Sequence, residues 1–89
     1  MKIKDGFILQ KVGSGYLAVA VGDRADTCKA MIRLNETGAF LWNLFSDTER
    51  TKDEAVALFM KEYEIDEALA QRDLTAFVMK LSEAGLLDE

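Results

Sequence analysis

The chain has 89 residues, of which 49% are hydrophobic and 30% charged, with a formal net charge of −5, one cysteine and no histidine. That length holds one domain and one core, burying roughly two-thirds of the surface the unfolded chain exposes, so each large apolar residue matters to stability. The composition excludes a disulfide framework, a zinc site of the usual kind and a Cys-His nucleophile, and with no catalytic or calcium-loop spacing among the carboxylates neither catalysis by the chain alone nor a metal or cofactor is expected.

The first third of the chain reads as strands. "GFILQKV" (Gly6–Val12) and "GYLAVAV" (Gly15–Val21) are β-rich runs separated by Gly13-Ser14, which predicts a hairpin. As a phosphate-binding loop, Gly13-Ser14-Gly15 lacks the following helix and the remaining glycines. "VGDRADTC" (Val21–Cys28) reads as a polar loop, with Cys28 an inert small apolar residue. A third strand, "KAMIRL" (Lys29–Leu34), alternates cleanly. Ala30, Ile32 and Leu34 share one face and Lys29, Met31 and Arg33 the other, as in a sheet covered on one side.

After Asn35 the chain reads as three helices. Asn35 is an N-cap, since its side-chain oxygen can accept from an early backbone N–H. Phe40, Leu41, Leu44 and Phe45 form a broad apolar face that Trp42 widens to about half the circumference. A helix so covered must be contacted on at least two sides, which places it between the sheet and the later helices. The second helix opens on Thr51 and Glu54, a capping box, and carries Ala55, Val56, Phe59, Met60 and Tyr63. After a turn near Glu64-Ile65, Asp66 caps a third helix with Leu69, Leu74, Phe77, Val78 and Leu81, ending at Gly85. "LLDE" trails off behind it. The expected fold is α+β, winged helix-turn-helix-like, with a three-stranded antiparallel sheet (residues 6–34) followed by three helices (residues 36–85). It forms a single domain over residues 1–89, with no linker or repeat.

"LNETGAFLWNLF", "TKDEAVALFMKEYEID" and "RDLTAFVMKLSEAGLL" together resemble the PqqD family, the pyrroloquinoline quinone biosynthesis protein D family. The shared features are a Leu-Asn-x-Thr-Gly/Ala opening of the first helix, a Thr-x-x-Glu helix start, a Tyr-x-Val/Ile-Asp turn, and a final Asp-(Val/Leu)-x-x-Phe run closing on Leu, Gly and Leu. The likeness spans residues 30–89 as an ordered set. One departure is Asp47-Thr48, where many members have Asp-Gly, and it bears on the turn between the first two helices. The resemblance implies a recognition element for ribosomally made, modified peptides. Such a domain binds the leader of a precursor peptide and presents its core to a modifying enzyme, often a radical SAM protein. The leader adds as a strand beside the third strand, in a groove walled by the third helix, and the chemistry belongs to the partner.

On that reading Lys29, Ala30, Met31, Ile32, Arg33 and Leu34 form the peptide-accepting strand. An unpaired edge is a liability unless it is covered or used, and strand addition uses it. Lys29 and Arg33 suit a leader with Asp or Glu; equally, charge at these positions protects an edge strand. Asp73, Phe77 and Lys80 fall on one stripe of the third helix beside the Leu74/Leu81 row, and with Leu81 they are the candidate groove wall. Phe77 and Leu81 are also core positions, and Asp73 can pair with Lys80 across two turns. Enlarging Gly38, as in Gly38→Leu, is expected to loosen leader binding without touching the groove.

Two rival readings concern partners. The third helix, residues 66–84, carries Asp66, Glu67, Asp73 and Glu83 against Arg72 and Lys80. With a pI near 4.7, the chain lacks the basic footprint that nucleic-acid binding needs, so no nucleic acid is expected. Alternatively, the chain is a subunit that docks on an enzyme through its helices and binds no leader. Residues 1–34 carry +3 and residues 35–89 carry −8. That split is either the ordinary solvated acidity of helices or a mildly basic surface for an acidic partner. No apolar run approaches the ~20 residues of a membrane span, and "MKIKDGFILQKVG" lacks the features of a secretory signal. A cytoplasmic location without membrane contact is expected.

Overall fold

A computed structural model describes residues 1–27, 31–46 and 48–88. The expectations placed on Cys28, Lys29, Ala30 and the Asp47-Thr48 turn therefore lie, wholly or in part, outside the described residues. Along the chain the elements are β1 (Lys2–Ile3), β2 (Phe7–Val12), β3 (Gly15–Ala20), α1 (Arg24–Thr27), β4 (Met31–Leu34), α2 (Glu36–Ser46), α3 (Lys52–Tyr63), α4 (Glu67–Glu83) and β5 (Leu87–Asp88). The fold is α+β, with an antiparallel sheet in the order β2-β3-β4. Gly13 takes φ +62° at the first position of the β2–β3 turn, a conformation glycine adopts without steric cost.

Register explains the alternation. Ile8, Val19 and Met31 align as one cross-strand row, and Leu9, Ala18 and Ile32 as the next. Ala18, Ile32 and Leu34 are buried while Met31 and Arg33 are exposed, so the sheet packs on one face and leaves the other to solvent.

Helix α2 is the centre of the core. Asn35 caps it, its Oδ1 accepting from the Gly38 backbone N–H at 2.8 Å and from the Thr37 hydroxyl at 2.9 Å. Leu41, Trp42 and Phe45 are buried, and Phe40 and Leu44 pack against the same cluster at its margin. The helix touches β1, β3 and β4 as well as α3 and α4. That is the two-sided contact its broad apolar face demands. Phe45 stacks on Phe77 of α4 at 6.3 Å, and Phe40 meets Phe59 and Tyr63 of α3.

Caps define the remaining helices. Thr51 and Glu54 form the reciprocal capping box, and Asp66 accepts from Leu69 N–H at 2.8 Å. At the end of α4, Gly85 N–H bonds to Ser82 O and Leu86 N–H to Leu81 O. This is the paired arrangement of a Schellman motif, with Gly85 in the left-handed region at φ +79°. Both Leu81 and Leu86 are fully buried, so the cap also closes the core.

Two features differ from the sequence reading. The stretch expected as loop holds a single helical turn, α1, whose Arg24 donates to the Asp5 carbonyl at 3.2 Å and lies over the Phe7 ring. A tertiary anchor, rather than local propensity, shapes that turn. The C-terminal residues do not trail off: β5 pairs antiparallel with β1, Lys2 opposite Asp88 and Ile3 opposite Leu87. Ile3 and Leu87 are buried there. Two-residue strands carry too little pattern to read locally, and burial of their apolar residues drives this pairing of the chain ends.

Phe45 has no exposed surface, so Phe45→Ala is expected to cost about 3–5 kcal/mol, read by denaturant unfolding. The Glu54 carboxyl is held below its ordinary value of 4.5, first by the Thr51 backbone N–H and then by the Thr51 hydroxyl. A depressed carboxyl stabilises the fold above its unfolded pKa and loses that contribution as pH falls through the folded one. Stability curves of Glu54→Gln and the unsubstituted chain should therefore converge as pH drops below 4.5.

Candidate functional site

A cleft of about 660 Å³ opens between the end of β4, the start of α2 and the flank of α4. Arg33 and Leu34 form its strand side, and Asp73, Ala76, Phe77 and Lys80 its helical wall. Asn35, Thr37, Gly38 and Leu41 of the α2 region close one end, with Val12, Ser14 and Gly15 of the hairpin turn. The helical wall follows i, i+3, i+4, i+7 spacing, so these four side chains project from one side of α4.

The edge chemistry of β4 follows from its pairing with β3. Leu34 O lies 3.4 Å from where a Cβ on Gly15 would stand, so it faces β3. Successive carbonyls along a strand point to opposite edges, so Arg33 O faces away from β3, toward the cleft. There it accepts from the Lys80 ammonium at 3.0 Å. The main-chain groups of Met31 point to the same open edge by the same alternation. Those of Ile32 and Leu34 are turned to β3.

The cleft thus brings together Arg33, Leu34, Asp73, Phe77 and Lys80. Met31 lies outside it, 67% exposed on the open face of the sheet. Ile32 points inward, and Leu81 is wholly buried beneath α4, so each bears on the cleft only from below. Asp73 pairs with its neighbour Arg72 at 3.5 Å, and Lys80 reaches across to the strand.

The sequence reading missed the hairpin turn and the opening of α2 as lining. Ala76 was legible, since it completes the stripe of Asp73 and Lys80. Nothing local in Val12, Ser14 or Gly15 signals that the turn folds beside α2. Gly38 lines the cleft itself, so the expectation that enlarging it leaves the groove untouched is corrected. Its backbone lies so close to the strand end that helix and cleft share the position.

Over residues 16–87 the chain matches the family described as Coenzyme PQQ synthesis protein D (PqqD). The chain belongs to that family. Among solved structures it is similar to TbiB1 in complex with the TbiA(beta) leader peptide, with a TM-score of 0.76 and 25% identity, covering 99% of this chain and 95% of that one. It is also similar in fold to lasso peptide synthetase B1 complexed with the leader peptide, with a TM-score of 0.70 and 20% identity over 96% and 93% of the two chains. No curated protein sequence matches the chain.

A Cβ at Gly38 would stand 3.1 Å from Leu34 Cβ and 3.2 Å from Asn35 Oδ1. Gly38→Ala should be close to neutral, because the helix-propensity gain of up to ~1 kcal/mol offsets the crowding. Gly38→Leu should lose about 1–3 kcal/mol through overpacking. Denaturant unfolding of the two variants separates these outcomes.

Proposed function

We propose that the chain is a peptide-recognition module. It takes the leader of a ribosomally synthesised precursor peptide as an added strand on the open edge of β4, and presents the precursor to a separate modifying enzyme. The observation that carries this reading is the outward main-chain edge of β4 standing across a cleft from α4. Membership of the PqqD family and likeness to TbiB1, a protein solved with a leader peptide, support it.

Main-chain hydrogen bonds from Met31 and Arg33 give sequence-independent affinity, and the side chains of Asp73, Ala76, Phe77 and Lys80 give selectivity. Lys29 and Ala30, which lie outside the described residues, belong to the same proposed peptide-binding stretch. The functional unit is the whole of residues 1–89, a winged-helix order of elements turned to peptide binding. The chain is not itself catalytic; its partner, a radical SAM enzyme or another modifying enzyme, does the chemistry in the cytoplasm. No helix of the described residues is long and apolar enough to cross a membrane. Nucleic acid is disfavoured because α4 carries Glu67, Asp73 and Glu83 against Arg72 and Lys80, the wrong sign for phosphate contacts.

An NMR titration of the labelled chain tests this, using synthetic peptides from short open reading frames beside its gene and a duplex DNA control. Amide shifts concentrated in Met31–Leu34 and Asp73–Leu81 are expected, with micromolar affinity, about −8 kcal/mol. Shifts confined to other surfaces on adding the neighbouring enzyme would instead make the chain a docking subunit. A response to DNA alone would end the peptide reading.

A further inference from the structure

Lys80 does more than wall the cleft. Its ammonium donates to Arg33 O at 3.0 Å, joining positions 47 apart in sequence. Arg33 O is the outward acceptor nearest the cleft, and an added strand would bond it from an amide nitrogen at about 2.9 Å. The ammonium therefore stands at the distance the incoming amide must occupy. A peptide entering along β4 has to share that oxygen with Lys80 or displace it.

Displacement by a neutral segment replaces a charged donor with a neutral one and returns the ammonium to water. A segment carrying a carboxylate opposite Lys80 gives the released ammonium an anionic acceptor, and charge-assisted hydrogen bonds are about twice as strong as neutral ones. Among the described residues no carboxylate pairs with Lys80. Asp73, two turns back on the same stripe, is engaged with Arg72. The Arg33 side chain, exposed on the strand side of the cleft, adds a second positive group.

Resting on the peptide-binding reading above, we propose that Lys80 is a specificity residue of the groove. Its ammonium covers the strand-accepting oxygen of Arg33 until a peptide carboxylate draws it away, so the groove selects an extended segment with an acidic residue at that position. The acid and the strand are then recognised together, the side chain on Lys80 and the backbone on the oxygen Lys80 has released.

Selection of short random peptides by messenger-RNA display on the immobilised full chain tests this, alongside Lys80→Met and Lys80→Arg. Lys80 is exposed and both variants keep its stem, so thermal unfolding should confirm intact folds. The unsubstituted chain is expected to enrich peptides with Asp or Glu at one fixed position. Changing that acid to its amide should weaken binding about fivefold, the upper end for an exposed ion pair. With Lys80→Met the same change should matter less than about twofold, while Lys80→Arg retains most of the preference. If Lys80→Met and the unsubstituted chain show the same acid preference, or if the enriched peptides carry no acid, Lys80 is not the selector although peptide binding stands. If the unsubstituted chain enriches no peptide, the peptide-binding reading itself falls, and the selector with it.

Discussion

The join between β4 and α2 is the constraint on which the rest of the structure depends. Leu34 ends the strand facing inward, Asn35 turns the chain and caps the helix, and Gly38 lies so close to Leu34 that a side chain would crowd it. One short segment thereby fixes the angle between sheet and helix. Because α2 also packs on α3 and α4, that angle determines where α4 stands relative to the strand edge. The Phe45–Phe77 stack ties the two helices directly, and Phe77 is at once a core residue and part of the cleft wall. Core packing and groove geometry are therefore one problem with one solution, consistent with the low tolerance of close-packed interiors to partial displacement.

An open strand edge in a small domain is both an asset and a hazard. A row of free backbone groups accepts any extended chain, including another copy. The described part of β4 spans four residues, and among these the outward main-chain groups belong to Met31 and Arg33. One of the outward oxygens is already engaged by an ammonium from the facing helix. Such an edge resists indiscriminate pairing while remaining available to a ligand whose own side chains can take over that ammonium. On the proposed reading, affinity from the main chain and selectivity from the wall reside in different residues.

Much of the architecture was legible from local signals. Alternation in the third strand, the Asn35 cap, the Thr51/Glu54 capping box and the Asp66 cap each rest on interactions within a few residues, and such interactions leave their mark in adjacent sequence. The over-broad apolar face of the helix after Asn35 announced a central element, since amphipathic width measures how many neighbours a helix must have. The short helical turn at Arg24 was not legible, because a long-range contact with Asp5 and Phe7 holds it. Nor was the pairing of β1 with β5, which joins opposite ends of the chain.

The candidate site divides in the same way. Sequence by itself determined which side chains share the stripe on α4 and which strand residues alternate outward, because helical and strand periodicities are local properties. It also determined the absence of histidine, which leaves the chain without the commonest general base and the commonest zinc ligand. Tertiary structure decided that the hairpin turn and Gly38 line the cleft and that Lys80 reaches the carbonyl of Arg33. These depend on the separation and angle between β4 and α4, set by packing of α2 between them. No periodicity along the chain encodes a distance across a groove.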